Sequence, residues 1–211
     1  MLAPVLPVRI CPLPGPLYTV LMGYKEAPVD EARARFGPIV RELCAGFLRA
    51  HAACVTALAG GRPDFVLPVP STHRPGGSPI ARLPGLAADV EAALPGVRWT
   101  GLLVRTCEPV GHMRPSPRAF VVPPTLRSRV AGRRVVLLDD TYVSGSRSQS
   151  AAAGLRRAGA ASVVVVVLGR VVRPDRVPAH HAFLHRLPPG DPFGAGAGPC
   201  ARCVQTAAGT E

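Results

Sequence analysis

Lysine is nearly missing from this chain: Lys25 is the only one among 211 residues. The formal charge of +12 is therefore carried almost wholly by arginine. Arg, Ala, Gly, Pro and Val are all abundant, the mark of a GC-rich coding bias, so part of the arginine count is drift. Aromatic residues are scarce as well, at 5%, and none interleaves with the arginines. That argues against a single-strand nucleic-acid surface, which stacks bases on rings. No compact run of five or six basic residues occurs, so a basic nucleic-acid arm is not read either. Nonspecific nucleic-acid binding stays open to so basic a chain. A substrate rich in phosphate charge fits it equally well.

Long apolar runs are also missing. No stretch reaches the roughly 20 residues of a membrane span. The first residues have neither a basic start nor an unbroken apolar core, and prolines interrupt them, so no secretory signal is read. A cytoplasmic protein without a membrane partner is expected. In that setting six cysteines do not read as a disulfide scaffold. Cys200-Ala201-Arg202-Cys203 is the only C-x-x-C, and a second close pair to complete a four-ligand zinc site is lacking. Cys11, Cys44, Cys54, Cys107 or a histidine would have to complete it by long-range folding. The simpler expectation is an exposed thiol pair in a loose tail; zinc at Cys200 and Cys203 is the alternative.

What is present suits one α/β domain: 47% of the residues are hydrophobic, enough for a sizeable core. Residues 1–19 read as a Pro-rich amino-terminal arm, 20–172 as the α/β domain, and 173–211 as an appendage or tail. Apolar residues at helical spacing mark 27–59, stopped by Gly60-Gly61. Residues 64–70 read as a strand. Residues 79–94 are helical around a Pro84-Gly85 interruption. Short strands are expected near 102–104 and 119–122, and the Pro- and Arg-rich stretch from Thr106 to Arg134 is expected to be mobile in part. Residues 133–168 form a βαβ pattern: strand 134–138, helix 147–158 and strand 162–168, with Gly159 as helix stop. Right-handed crossover makes the two strands parallel neighbours in one sheet.

The most informative stretch lies inside that unit. Val135 to Leu138 form a buried strand ending in Asp139 and Asp140. Thr141, Tyr142, Val143, Ser144, Gly145, Ser146, Arg147 and Ser148 then run into the helix. Such a loop offers backbone N–H groups, hydroxyls and a helix amino terminus to a phosphate. The acid pair can grip sugar hydroxyls or a metal-bound water, and ligands of open α/β sheets sit outside the carboxyl ends of strands. The bland reading is a buried strand followed by a capped helix, with the acids as turn residues.

This stretch resembles the signature of type I phosphoribosyltransferases, which use phosphoribosyl pyrophosphate (PRPP). The wider chain, over about residues 20–172, is similar to the ComF-type, amidophosphoribosyltransferase-like branch. The pieces that carry this likeness are Gly23-Tyr24-Lys25, Asp64 to Pro70, Arg118-Ala119-Phe120, Val130 to Arg134 and Leu155 to Ala160. The resemblance implies a Rossmann-like, mostly parallel sheet flanked by helices, with a small hood from the terminal segments, and a homodimer. It implies that Asp139 and Asp140 hold the ribose hydroxyls and that residues 143–148 (Val143, Ser144, Gly145, Ser146, Arg147, Ser148) cradle the 5-phosphate. Val143 and Arg147 stand where that family usually has hydroxyl residues, and its amino-terminal cysteine-rich module is missing.

The implied chemistry is displacement of pyrophosphate from C1 of PRPP by a nitrogen nucleophile. Mg²⁺ would accompany the pyrophosphate. The loop Ser71, Thr72, His73 and Arg74 is the candidate pyrophosphate site, because it follows a strand and carries a guanidinium. Arg74 reads equally well as a surface arginine, and His73 as a bystander. Arg105, Arg114 and Arg118 flank a segment placed to close over the site; its His112 reads as a bystander. Tyr142 is assigned either to the acceptor side or to core packing. Three functions follow: a phosphoribosyltransferase, a non-catalytic PRPP-binding regulator or DNA-uptake-linked accessory protein, and an interaction protein on the same fold.

Overall fold

The computed structural model describes residues 2–26, 30–71, 77–111, 113–185, 200 and 203. In chain order it holds β1 (Val5–Pro12), α1 (Pro16–Glu26), α2 (Asp30–Leu58), β2 (Phe65–Pro68), α3 (Leu86–Ala93), β3 (Arg98–Trp99), β4 (Val104–Arg105), β5 (Phe120–Val121), α4 (Arg127–Val130), β6 (Arg134–Tyr142), α5 (Ser146–Arg157), β7 (Ser162–Val172) and α6 (Pro178–His185). Five strands build one sheet in the order β1-β7-β6-β2-β3, and every pair in it is parallel. β4 and β5 form a separate antiparallel ribbon. The fold is α/β, a mostly parallel sheet flanked by helices. No helix among the described residues is long and apolar enough to cross a membrane.

The period of a strand sorts the core. Successive side chains point to opposite faces. Val136 and Leu138 of β6 therefore join the cluster beneath α1, α2 and α3. Val135 and Leu137 join the cluster beneath α5 and β5. A strand covered on both faces reads as a continuous apolar run, and β6 and β7 do. The same alternation continues into the acids that end β6.

One expectation is corrected here. The amino-terminal segment is neither an arm nor part of a hood. It is an edge strand of the main sheet, in register with β7 from Val5 opposite Val165 to Pro12 opposite Val172. Its prolines hid this in the sequence, yet an edge strand tolerates proline. The boundary at residues 19–20 falls within α1. In the Pro- and Arg-rich segment between β4 and β5, Ser116 and Pro117 are laid against α5. The Ser116 amide donates to Ser150 Oγ at 2.8 Å, and Arg157 Nη1 donates to the Pro117 carbonyl at 3.1 Å. Gly154 permits the approach, since a Cβ there would run into the Phe120 carbonyl.

Candidate functional site

The site begins with two adjacent carboxylates that face different helices. Asp139 and Asp140 are 3% and 2% exposed at the end of β6. Asp139 points toward α5. Its Oδ1 lies 2.5 Å from Arg147 Nη2, and its Oδ2 accepts the Ser148 hydroxyl at 2.6 Å. Asp140 points toward α1. It pairs with Lys25 Nζ at 2.6 Å and accepts the Tyr24 hydroxyl at 2.5 Å. Arg147 also reaches Asp140 at 3.3 Å. Thr141 Oγ1 receives a hydrogen bond from Lys25 Nζ at 2.8 Å and donates to Asp140 Oδ1 at 3.1 Å.

Burial alone would raise the Asp140 carboxyl, but the charges of Lys25 and Arg147 and hydrogen bonds from Lys25 and Tyr24 hold it below the usual carboxylate range. Burial, with the negative charge of Asp140 behind it, pushes the Tyr24 phenol well up. The neighbouring Asp139 raises the Arg147 guanidinium against the opposing effect of burial. Arg147 is therefore a fixed charge, and Asp140 is ionised beside it.

Beyond the acids the chain turns sharply. Gly145 adopts φ 78° as the residue that precedes α5, a left-handed conformation that glycine enters without strain. Its amide neighbour on the next residue, the Ser146 N–H, is 3.4 Å from Ser144 Oγ. The first turn of α5 then presents N–H groups that its own helix does not use. A cavity of about 460 Å³ opens over this turn, lined by Val143 to Ser148 and, from the β4–β5 segment, by Arg105, Pro109, Val110 and Gly111. Arg105 brings a cation whose Nη1 is buried without a hydrogen-bond partner among the described residues. The guanidinium rests over the Phe120 ring at 5.3 Å.

The sequence-derived candidates divide as follows. Ser144, Gly145, Ser146, Arg147, Ser148 and the exposed Val143 come together around the cavity. Tyr142 is not among its lining residues. Its ring lies against Gly145, with the Arg170 guanidinium 5.2 Å from the ring centroid. Arg114 and Arg118 are exposed and also lie off the lining. Thr72, His73, Arg74 and His112 lie outside the described residues. Ser71, which precedes them, is not part of the cavity lining either. Tyr24 entered the sequence reading only as part of a resemblance, and no site role was read for Lys25 outside it. Their positions against Asp140 make them part of the site, and the signal for Lys25 was its being the sole lysine.

Magnesium finds no protein-held site at the acids. Both Asp139 oxygens and both Asp140 oxygens already accept bonds from side chains. Cys200 and Cys203 also depart from expectation. They are not an exposed pair: Cys200 is 1% exposed within the core, with Cys203 packed beside it. Cys54 and His51 of α2 adjoin them.

No protein-family model matches this chain, and no curated protein matches it. Among solved structures, it is similar to the glutamine phosphoribosylpyrophosphate amidotransferase from B. subtilis complexed with ADP and GMP, at 24% identity and a TM-score of 0.39, over 61% of this chain and 26% of that one. It is also similar to a structure described as the allosteric regulatory enzyme of purine biosynthesis, at 24% identity and a TM-score of 0.37, over 61% of this chain and 25% of that one. The chain thus spans about a quarter of the length of each.

Proposed function

We propose that this chain is a phosphoribosyltransferase, which binds PRPP and transfers its phosphoribosyl group to a nitrogen nucleophile. The observation that carries this reading is Arg105, whose Nη1 is buried without a hydrogen-bond partner among the described residues and which lines one cavity with the amino terminus of α5. A buried donor without an acceptor is costly. An anion placed there satisfies Arg105 and the N–H groups of α5 together. Residues 143–148 receive the 5-phosphate, and the ribose extends toward Asp139 and Asp140. PRPP enters as its magnesium complex, the ion belonging to the substrate. The C1–O bond to pyrophosphate breaks and pyrophosphate leaves with the electron pair. A C1–N bond forms and the nucleophile loses a proton. Positive charge developing on the ribose is stabilised by the two carboxylates.

Arg147 couples binding to that step. It lines the cavity and also holds Asp139. A phosphate accepts two parallel bonds from a guanidinium. Ligand entry therefore draws Arg147 toward the phosphate and releases Asp139 to accept ribose hydroxyls.

The same ion pair supports a second reading, a PRPP-binding regulator of the ComF type that keeps the pocket without turnover. In that case Arg147 remains on Asp139, and the acids serve the fold alone. Calorimetry with PRPP, ribose 5-phosphate and inorganic phosphate, followed by a screen of pyrophosphate release against ammonia, amines and bases, tests both. Binding with release establishes the transferase. Binding without release under every acceptor establishes the regulator. Failure to bind all three ligands overturns both readings.

A further inference from the structure

A second cluster of chemistry lies far from the phosphate cavity. His51 and Cys54 are three residues apart on α2, His51 at a kink in the helix (φ −120°, ψ 22°) and Cys54 in the segment that follows it. Cys200 and Cys203 meet them from the carboxyl-terminal segment. Cys54 Sγ and Cys203 Sγ are 3.5 Å apart, and so are Cys200 Sγ and Cys203 Sγ. His51 Nδ1 is 3.9 Å from Cys203 Sγ. All four ligand atoms lie within 4.8 Å of one another. The Phe47 ring packs on the His51 ring with centroids 4.7 Å apart, which restricts how the imidazole can turn.

We propose that His51, Cys54, Cys200 and Cys203 form a structural zinc site that fastens the carboxyl-terminal segment to α2. Zinc takes thiolate and imidazole ligands tetrahedrally, with Zn–S near 2.3 Å, which spaces its sulfurs about 3.8 Å apart. The thiol spacings here already approach that value. An iron–sulfur cluster places sulfide and several irons between its cysteines and so needs them further apart. A disulfide would join two sulfurs and strand the third beside them, whereas one zinc ion uses all three and the imidazole. Four protein ligands fill the coordination sphere and leave no open position for a substrate, the mark of a structural site.

The location agrees with that role. The end of α2 is tied to the amino-terminal ends of the central strands: Ser162 Oγ donates to the Ala59 carbonyl at 2.7 Å, and Arg134 Nε to the Gly60 carbonyl at 3.1 Å. The phosphate cavity sits at the carboxyl end of β6, so the zinc site serves the opposite end of the sheet. Its function is to close the core that Cys200 enters. This inference stands apart from the proposed transferase activity.

The test is metal analysis of the full chain purified without added chelator. About one zinc ion per chain is expected. Cobalt exchanged into the wild-type protein should give intense thiolate-to-cobalt absorption and the visible bands of tetrahedral geometry. Cys54→Ser and Cys203→Ser should lose stoichiometric zinc, while Cys107→Ser, at an exposed cysteine outside the cluster, should keep it. If the cluster variants do not fold, the cobalt spectrum of the wild-type protein still decides. A folded wild-type protein that takes up neither zinc nor cobalt overturns the proposal. So does iron with acid-labile sulfide, or a Cys54–Cys203 or Cys200–Cys203 disulfide in the freshly purified chain.

Discussion

Arg147 reaches from the first turn of α5 back to Asp139, with Nη2 2.5 Å from Oδ1. One residue further along β6, Asp140 is held from the other face of the sheet by Lys25. The alternation of a strand thus turns two adjacent acids into anchors for two helices, α5 and α1. Each helix brings a cation to the strand end where the ligand is proposed to bind.

Lys25→Met should therefore act on stability first. It strips a buried carboxylate of its main partner, a change that costs about 3–5 kcal/mol. Arg147 remains 3.3 Å from Asp140, so the lower end, about 3 kcal/mol, is expected. Urea denaturation measures this. A loss below about 1 kcal/mol, the worth of an exposed pair, would show that Lys25 is not holding the strand end.

The phenol of Tyr24 gives the network an alkaline limit. Its folded pKa is raised, so the folded state keeps a proton that the unfolded state releases above about pH 10. A group of this kind contributes stability that is fully present below that pH and lost as pH rises toward the folded value. Asp140 has the opposite sign. Its folded pKa is lowered, so its contribution is present above about pH 4 and is lost only as pH falls through the folded value. Chemical denaturation as a function of pH, compared between wild type and Tyr24→Phe, isolates the first limb. The wild type should lose stability more steeply above pH 10 than the variant; parallel curves would refute the assignment.

Local signals made β6, the loop at residues 143–145 and α5 legible in the sequence. An apolar run, two acids, hydroxyls and Gly145 all lie within a dozen residues or so, and the period of β6 set which acid faces which side. What the sequence hid depends on distance along the chain. Tyr24 meets Asp140 across 116 positions, and Cys54 meets Cys203 across 149. Composition nevertheless held hints of both. A single lysine in an arginine-biased chain marked Lys25. The H-x-x-C of His51 and Cys54 matched the C-x-x-C of Cys200 and Cys203 in ligand count. β1 was obscured because its prolines argue against a central strand, and only the sheet order reveals that it lies at the edge.

Gly145 carries two constraints that can be separated. Its φ of 78° disfavours any side chain by about 1–2 kcal/mol. A Cβ would also run into the Tyr142 ring. Gly145→Ala should lower stability by about 2 kcal/mol or slightly more and weaken ribose 5-phosphate binding several-fold. In a Tyr142→Ala background the same substitution should cost only the backbone part. Denaturation of the four proteins of this cycle checks the coupling. Strict additivity would mean that the ring does not rest on Gly145 in solution.

The most discriminating measurement compares ribose 5-phosphate with inorganic phosphate. Both supply an anion for Arg105 and the amino terminus of α5, but only the sugar phosphate offers hydroxyls to the acids. If phosphate draws Arg147 away from Asp139, the freed carboxylate gains charge-assisted hydrogen bonds to the ribose, each worth about 1.5–3 kcal/mol before the cost of parting the ion pair. The wild type should then bind ribose 5-phosphate at least about tenfold more tightly than phosphate, a difference of 1.4 kcal/mol. Asp139→Asn should remove most of that preference and leave phosphate affinity largely intact, and it should lower pyrophosphate release with it. Arg105→Ala should weaken both ligands alike, because its contact is with the phosphate they share. Equal affinity for the two ligands in the wild type would mean that Asp139 stays locked to Arg147 in the complex. The acids would then be structural, and the regulator reading would replace the transferase.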